Sequence, residues 1–487
     1  MSRNLKNLLI LALILAFSYA CETEESLTKR RIKEVENSLL EAVVFKGTQP
    51  EKMNLYDRMQ YYKVPGVSMA VMDGFEIEWE QYYGVENVET AQPLTKETIF
   101  QTGDLSQFVS ALGSLYYVEQ GVIDLDKDIN QYLKSWKVPS YDVLLKEKIT
   151  LRRLLTHSAG FFQVEFSGYK TEETLPSLTQ IIKGQEPAKN PPLYPTYEPG
   201  SEVLRSDAGF VILQLLLEDI TGRSFPEIMN EVILSRIPME NSTFQNPLPD
   251  SWKSQATSGH DREGNPLPGE RRIYPEEAAL GLWSTVSDYA GMILEIVSTA
   301  RGTGASVISS RTAREMLSPY LGLQAMAVHI EGEGDGIHFL LSGHCSGFDS
   351  FFVFYPQLGQ GMVVMTNSSN GIYLIEEVLR AAASVYHWPH FQPEEKPLYQ
   401  LPAEIVSQYV GRYRVSQDYF LDVSPHEHYL LVQPTGQAPT KFYLETQTTF
   451  FSTGPFTQIQ FLKNREGKVT GLVLRQKRSR LEAEKIQ

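Results

Sequence analysis

The segment Thr98–Gln107 reads TIFQTGDLSQ and leads directly into a long apolar pattern, Leu105–Gln120. Apolar residues recur in this pattern at the spacing of an α-helix, and Gly121 follows where a helix commonly ends in a left-handed residue. The predicted helix therefore begins within the polar end of the quoted segment. Because residues one turn apart share a helix face, we expect Asp104 and Gln107 to lie beside each other at its first turn.

Outward from this helix, the chain alternates helical and strand patterns. Val64–Asp73 and Phe75–Tyr83 are strand patterns separated by an Asp-Gly turn, which predicts a β-hairpin. The other helical patterns are Leu151–Leu155, Ala208–Ile220, Ser287–Ser298 and Ile375–Tyr386, and the later strand patterns are Ile337–Leu341, Ser350–Tyr355 and Met362–Thr366. Helices that precede and follow a group of antiparallel strands predict an α+β domain.

A proline-rich segment separates this domain from the end of the chain. Residues 389–402 read PHFQPEEKPLYQLP, a composition typical of a linker. Short alternating strand patterns follow it, from Gly411–Val415 to Val469–Arg475. We therefore predict a main domain over 22–388, a linker, and a small all-β barrel or sandwich domain over 403–487.

The first residues of the chain are typical of an export signal. Arg3 and Lys6 precede the unbroken apolar run Leu8–Phe17, which is too short to span a bilayer stably. Cys21 then comes directly after small residues, an arrangement that resembles the bacterial lipobox. We predict a signal peptide over 1–21, lipidation of Cys21, and a lipid-anchored location in the cell envelope; plain secretion and a retained anchor are the alternatives.

The composition and a few residue patterns argue against several kinds of partner and site. The chain has 487 residues, of which 42% are hydrophobic, and its formal net charge of −15 argues against a nucleic-acid partner. Lipidation of Cys21 would leave Cys345 as the only free cysteine and no internal disulfide. The acidic run Asp124–Asp128 lacks the glycine and glutamate of a calcium loop, because Ile129 and Ser135 stand at those positions. We predict no cofactor and no metal site, and the oligomeric state stays open.

Several ordered blocks of the chain resemble the serine β-lactamase, DD-peptidase and esterase family. They are VPGVSMAV at Val64–Val71, TIFQTG at Thr98–Gly103, GVIDLD at Gly121–Asp126, ITLRRLLTHSAG at Ile149–Gly160, YEPGS at Tyr197–Ser201, GLWSTVSD at Gly281–Asp288, and GH followed by GF within Gly343–Phe348. Each block alone is weak, whereas the ordered set is specific. The resemblance implies an antiparallel sheet flanked by helices, a helical subdomain, and the small β domain often appended to this family.

The resemblance also implies a catalytic site whose key groups are replaced in this chain. The family uses Ser-x-x-Lys at the start of a helix, and the lysine or the tyrosine of a Tyr-x-Asn motif takes the serine proton. Asp104 and Gln107 stand at the serine and lysine positions, and Arg205 and Asp207 at the tyrosine and asparagine positions. A carboxylate attacks carbonyls poorly, an amide has no useful proton affinity, and a guanidinium stays protonated.

Two of these replacements are predicted to compensate each other. In the family fold Asp104 and Arg205 would face each other, and a carboxylate opposite a guanidinium forms a favourable, often bidentate pair. Such a pair would stabilise the pocket or hold a polar ligand. We also expect Arg205 to lower the pKa of a nearby aspartate, which argues against Asp104 or Asp207 as a general base.

The third motif of the family is half retained. His344 stands where the family has the Lys or His that helps bind the substrate carboxylate, and the loop before Gly347 is shortened. We predict that His344 lines the pocket, with a hydrogen-bonded strand histidine as the alternative. Cys345 is expected to be a small buried residue and His157 an architectural one. Ser106 is expected to be a packing or surface serine, with a relocated nucleophile as the alternative.

Three functional hypotheses follow. The first is a pseudoenzyme that binds a cell-wall fragment, peptide or protein partner, and the four motif replacements beside intact scaffold blocks favour it. The second is an active esterase, peptidase or β-lactamase-like hydrolase with displaced catalytic groups, such as another serine or a water activated by Asp104 or Asp207. The third is a structural lipoprotein whose β domain does the binding.

Overall fold

The computed structural model describes residues 24–304, 307–399, 403–437, 439–454, 457–476 and 479–486. The predicted signal peptide and Cys21 lie outside these residues. The chain divides into two compact units: the first contains the residues up to Asn37 and Lys63–Gly371, and the second contains Ser38–Tyr62 and Ile372–Gln487. No helix in the described part of the chain is long and apolar enough to cross a membrane.

This division differs from the predicted boundaries at 22–388, 389–402 and 403–487. The proline-rich segment contains a short strand, Glu394–Lys396, that pairs in parallel with Val43–Phe45. Within the second unit, this pairing joins the early strand Val43–Phe45 to the proline-rich segment. Local composition does not indicate such a pairing, because its hydrogen bonds link residues far apart in the sequence.

The α-helices follow the periodic apolar patterns of the sequence. In chain order they are α1 (Glu24–Glu36), α2 (Leu55–Tyr62), α3 (Ser106–Glu119), α4 (Leu151–Leu155), α5 (Leu178–Lys183), α6 (Ala208–Thr221), α7 (Phe225–Met229), α8 (Asp250–Lys253), α9 (Glu277–Leu280), α10 (Val286–Arg301), α11 (Ser310–Met316), α12 (Gly371–Tyr386) and α13 (Ala403–Tyr409). A 3-10 turn, Gly103–Leu105, comes directly before α3. The helix predicted over Leu105–Gln120 is therefore present.

The strands fall into a large open sheet, a barrel and two short pairs. They are β1 (Val43–Phe45), β2 (Gly66–Asp73), β3 (Glu76–Gly84), β4 (Phe100–Gln101), β5 (Trp283–Ser284), β6 (His329–Glu331), β7 (His338–Cys345), β8 (Phe348–Tyr355), β9 (Gln360–Thr366), β10 (Glu394–Lys396), β11 (Gly411–Arg414), β12 (Phe420–Pro425), β13 (Leu430–Pro434), β14 (Thr440–Leu444), β15 (Thr449–Phe451), β16 (Thr457–Lys463), β17 (Val469–Gln476) and β18 (Ser479–Lys485).

The first unit contains a six-stranded antiparallel sheet with the order β3-β2-β9-β8-β7-β6. Every residue of β8, FDSFFVFY, is buried, as expected of a central strand. Strands β7 and β8 pair with His344 opposite Asp349 and Cys345 opposite Phe348, so the two-residue turn Ser346-Gly347 joins them. This tight turn brings the end of β7 and the start of β8 to one corner of the sheet.

A close backbone contact fixes the start of α3 against the end of β7. Gly103 has φ +55°, and a Cβ atom added there would lie 2.6 Å from the backbone nitrogen of His344. Only glycine fits this position without displacing the strand. Beyond the turn, the first ten residues of α3, Ser106–Leu115, are buried. The beginning of α3 is therefore held at the corner where β7 turns into β8.

The second unit contains a closed eight-stranded barrel, in which β11 to β18 pair in sequence order and β11 also pairs with β18. Its core includes buried aromatic residues, among them Tyr409, Tyr413 and Phe461. The prediction of an α+β domain followed by a small all-β domain is confirmed, and of the two predicted β architectures the barrel is the one present.

Candidate active site

Asp104 lies in the 3-10 turn before α3, and both oxygens of its carboxylate have partners. Oδ1 lies 3.1 Å from Nη2 of Arg205, and Oδ2 accepts the backbone N–H of His344 at 2.9 Å. The predicted ion pair between Asp104 and Arg205 is therefore present. Arg205 also donates from Nη2 to the carbonyl oxygen of Ser342 at 2.7 Å, so its guanidinium links Asp104 to strand β7.

Gln107 bridges two aspartates from the first turn of α3. Its Nε2 donates to Oδ1 of Asp207 at 2.8 Å and lies 3.4 Å from Oδ1 of Asp104. The Gln107 side chain is fully buried. The amide NH2 group can donate two hydrogen bonds and does not titrate. Gln107 therefore links the two carboxyl groups without taking up a proton.

Asp207 comes directly before α6, and the surrounding protein atoms raise its pKa well above the ordinary value. Burial is the largest cause, and the nearby charge of Asp104 adds to it. These two effects outweigh the opposing effects of Arg205 and Gln107. Arg205 does lower the pKa of this aspartate, as expected, but burial and the charge of Asp104 have the larger effect, so the net shift is upward.

His344 lies at the end of β7, with a side chain that is 65% exposed. Its Nδ1 lies 2.6 Å from Oδ1 of Asp349, the residue opposite it in β8. This hydrogen bond raises the pKa of His344, and the charge of Asp104 adds to the effect. The two predicted roles of His344 are not exclusive, because it is both a hydrogen-bonded strand residue and an accessible group beside Asp104.

The backbone N–H groups of the shortened third motif have side-chain partners. Ser346 N donates to the Tyr274 hydroxyl at 3.0 Å, and Gly347 N donates to Oγ of Ser369 at 3.2 Å. Tyr274, Ser369 and Asp349 are members of the site that were not predicted from the sequence. For Asp349 the signal was available, since a two-residue hairpin turn places it opposite His344.

Three other residues considered from the sequence, Ser106, Cys345 and His157, are buried in the protein interior. Ser106 is fully buried, and its hydroxyl donates to the Gly103 carbonyl at 2.6 Å and accepts the Leu282 N–H at 3.0 Å. Cys345 is 4% exposed, and burial raises the pKa of its thiol. His157 is 5% exposed, accepts the Ser206 N–H at Nδ1, and has a pKa lowered by burial to about 3. All three are packing residues.

The site thus gathers Asp104, Gln107, Arg205, Asp207 and His344 in one place. The residues come from the starts of α3 and α6, the segment just before α6, and the end of β7. Within the described residues, no group of three or more His, Cys, Asp or Glu side chains is arranged to hold a metal ion. The arrangement offers two bridged carboxyl groups, a guanidinium and an accessible imidazole, whereas the hydroxyl of Ser106 at the start of α3 is buried and hydrogen-bonded to Gly103 and Leu282.

Comparison with known proteins identifies relatives over most of the chain. The family described as Beta-lactamase matches residues 54–385, more than half of the sequence. A beta-lactamase from Pseudomonas fluorescens is 22% identical over 362 residues, which cover 67% of this chain and 94% of that protein. The structure of the octameric penicillin-binding protein homologue from Pyrococcus abyssi is similar with a TM-score of 0.60 and 20% sequence identity. The alignment covers 88% of this chain and 98% of the Pyrococcus abyssi chain. The D-alanine carboxypeptidase AmpC from Burkholderia cenocepacia has a TM-score of 0.53 at 16% identity and covers 67% of this chain and 96% of its own.

Proposed function

Because this chain belongs to the beta-lactamase family, we propose that it is an exported, lipid-anchored pseudoenzyme of that family. Its altered pocket binds a cell-wall fragment, peptide or protein partner in the cell envelope instead of hydrolysing an acyl group. The observation that carries this proposal is the engagement of both carboxylate oxygens of Asp104, at the family's nucleophile position, by Arg205 and the backbone of His344.

The nucleophile position supports the loss of acyl transfer. A carboxylate that pairs with a guanidinium and accepts a backbone N–H is a weaker nucleophile than a free one, since both interactions stabilise its charge. Attack by Asp104 on a carbonyl would also give an anhydride, which water cleaves readily. Ser106 does not replace the missing hydroxyl, because its oxygen is buried between Gly103 and Leu282.

The base positions support the same conclusion. Gln107 has no proton affinity at neutral pH, and Arg205 is always protonated. The raised pKa of Asp207 increases the fraction of this carboxyl that is protonated at a given pH, and a protonated carboxyl cannot accept a proton from a nucleophile. The three positions that surround the family's serine proton therefore hold groups that do not remove it.

The backbone N–H groups around the third motif also support the loss of acyl transfer. Acyl transfer needs N–H groups aimed at the oxygen that becomes negative in the transition state. Around the third motif, the N–H groups of His344, Ser346 and Gly347 already donate to Asp104, Tyr274 and Ser369 respectively. A substrate carbonyl would have to displace these partners first.

The charges beside Asp104 indicate the class of ligand. Arg205 is 35% exposed, and His344, whose pKa is raised, is 65% exposed. Both groups flank Asp104 and can meet a ligand from solvent. A peptide or cell-wall fragment with a free carboxylate would find a guanidinium and an imidazole there as hydrogen-bond donors. Under this proposal, lipidation of Cys21 keeps the protein at a membrane surface.

An active hydrolase is the second candidate, and the Asp104–Asp207 pair is the observation that favours it. A carboxyl whose pKa is raised, close to a second carboxyl, is an arrangement that acid–base catalysis by two carboxyl groups uses. Such a pair activates a water directly and leaves no lasting adduct on a serine. Turnover without covalent labelling is the result that would distinguish this candidate.

The test incubates the purified mature protein with a fluorescent penicillin and with an activated ester, and follows intact mass and turnover. We expect neither adduct nor turnover. A stoichiometric adduct on the parent protein would overturn the proposal, and turnover without an adduct would favour the second candidate.

A restored variant serves as the positive arm of this test. It carries Asp104→Ser, Gln107→Lys, Arg205→Tyr and Asp207→Asn together, which returns the family's groups to their positions. We expect a penicillin adduct on this variant because the scaffold blocks are intact. Asp104→Ser alone is the matched control, since it supplies a hydroxyl without a base and should label far more slowly.

A further inference from the structure

The first unit contains a small cavity with a volume of about 30 Å³. It is lined by Glu165–Tyr169, Lys189, Asn190 and Glu276. A single water or ion needs roughly 10–15 Å³ of such space, so the cavity accommodates one or two small species and excludes organic ligands. None of its lining residues belongs to the five site residues described above.

Glu276 is the unusual member of this lining. Its side chain is fully buried, and neither carboxyl oxygen has a hydrogen-bond partner within the described part of the protein. Burial raises the pKa of Glu276 to about 7. A buried carboxylate without partners is costly, so its presence calls for a compensating group.

Asn190 supplies a third oxygen without a partner. Its residue is 8% exposed, and Nδ2 donates to the carbonyl oxygens of Ile181 and Pro191, both at 2.8 Å. These two bonds fix which end of the amide is the nitrogen. Oδ1 is buried and has no partner among the described residues. Residues of the cavity lining therefore contribute three buried acceptor oxygens without a partner among the described residues.

Lys189, the cationic side chain in the cavity lining, is engaged in other interactions. Lys189 Nζ donates to the Gly168 carbonyl at 3.0 Å and to Oε2 of Glu173 at 2.8 Å. It also lies 4.5 Å from the centre of the Tyr169 ring. Its charge favours the ionised form of Glu276 from a distance, but it makes no hydrogen bond to that carboxyl.

We propose that this cavity is a binding site for one monovalent cation, held by both carboxyl oxygens of Glu276 and by Oδ1 of Asn190. A single carboxylate balances a single positive charge. Calcium and magnesium sites commonly contain more carboxylates, and no cluster of three or more His, Cys, Asp or Glu in the described residues is arranged for a metal ion. The site is independent of the proposed pseudoenzyme function.

The cavity wall continues to the third motif. Ser167, in the lining, accepts a hydrogen bond at its carbonyl oxygen from Oγ of Ser346 at 3.4 Å. Tyr274, two residues before Glu276, accepts the Ser346 N–H. A bound cation would therefore hold the two segments that support the Ser346-Gly347 turn.

The test measures the melting temperature of the whole protein at pH 8.5 in potassium, sodium or ammonium chloride and in N-methylglucamine chloride of equal ionic strength. For a dissociation constant of about 10 mM, about 100 mM of the preferred cation should raise the melting temperature by about 2 °C. Equal melting temperatures in all four salts would overturn the proposal.

Two variants assign the effect to the cavity. Glu276→Gln should abolish the difference between salts, whereas Glu277→Gln, which removes the adjacent carboxyl that bonds Gln214, should retain it. A salt difference that persists in Glu276→Gln contradicts the assignment. If Glu276→Gln does not fold, crystals of the parent protein soaked in rubidium chloride provide the test. Anomalous density beside Glu276 and Asn190 supports the site, and its absence there overturns it.

Discussion

Gln107 Nε2 lies 2.8 Å from Oδ1 of Asp207, so the amide at the family's lysine position donates to a carboxyl that begins a different helix. Asp104 and Asp207 stand just before α3 and α6, where the partial positive charge of a helix N-terminus favours acidic groups. The Gln107 amide contacts the carboxyl groups of both Asp104 and Asp207 at the position where the family has a lysine ammonium group. The replacements at these positions therefore form one connected set.

Replacing Asp207 by asparagine should stabilise the protein, and more so at high pH. The pKa of Asp207 is raised in the folded state, so its contribution is favourable below the unfolded pKa and is lost as pH rises through the folded pKa. Each unit of raised pKa corresponds to about 1.4 kcal/mol. Denaturant unfolding should give Asp207→Asn a larger free energy of unfolding than the parent at pH 8, and a smaller gain at pH 5.

The control for this prediction is Asp335→Asn, which changes an exposed aspartate in the turn Gly334–Gly336. We expect no comparable gain there. If Asp207→Asn raised the free energy of unfolding equally at pH 5 and pH 8, the raised pKa of Asp207 would not be the cause of the gain.

Asp349→Asn should lower the pKa of His344. The hydrogen bond from the histidine ring to Asp349 is the main cause of the raised pKa, and an amide cannot supply the negative charge. In the parent, the stability from this pair is present below the unfolded pKa of histidine and is lost as pH rises through the folded pKa. Titration of the histidine ring protons by NMR measures the change, with His426 as an internal reference. An unchanged His344 titration would contradict the pairing.

Ser106→Ala should destabilise the protein by about 1–3 kcal/mol, because it leaves the buried Leu282 N–H without an acceptor. Chemical denaturation measures the loss, and the exposed Ser254→Ala is the control. A serine-directed fluorophosphonate should react equally with parent and variant. Labelling that disappears in Ser106→Ala would mean that this hydroxyl is a nucleophile and is not only a packing group.

Gly103→Ala should destabilise the protein more than Gly74→Ala does. Both glycines have positive φ, at +55° and +60°, so alanine meets similar backbone strain of about 1 kcal/mol at each. A Cβ at residue 74 meets nothing within 4 Å, whereas one at residue 103 meets the backbone of His344 at 2.6 Å. Comparing the two free energies of unfolding isolates the close approach of α3 to β7. Equal losses would contradict it.

Much of the fold was predictable because it rests on local patterns. The apolar spacing before Gly121 predicted Leu105–Gln120, and the helix found is Ser106–Glu119, preceded by a 3-10 turn. Family register also placed Arg205 opposite Asp104, and the ion pair is present. The pairing of β1 with β10 was not predicted, because these short strands lie far apart in the sequence and pair only once the chain has folded.

The sequence by itself determined which chemical groups occupy the site. It showed that a carboxylate, an amide and a guanidinium stand where the family has a serine and its bases. Only the tertiary structure decided the raised pKa of Asp207 and the partners of the Ser346 and Gly347 N–H groups. The physical reason is that pKa values and hydrogen bonds depend on burial and on distances between residues remote in sequence. Gln107 and Asp207 are separated by 100 positions, and the packing of α3 beside α6 brings them within 2.8 Å.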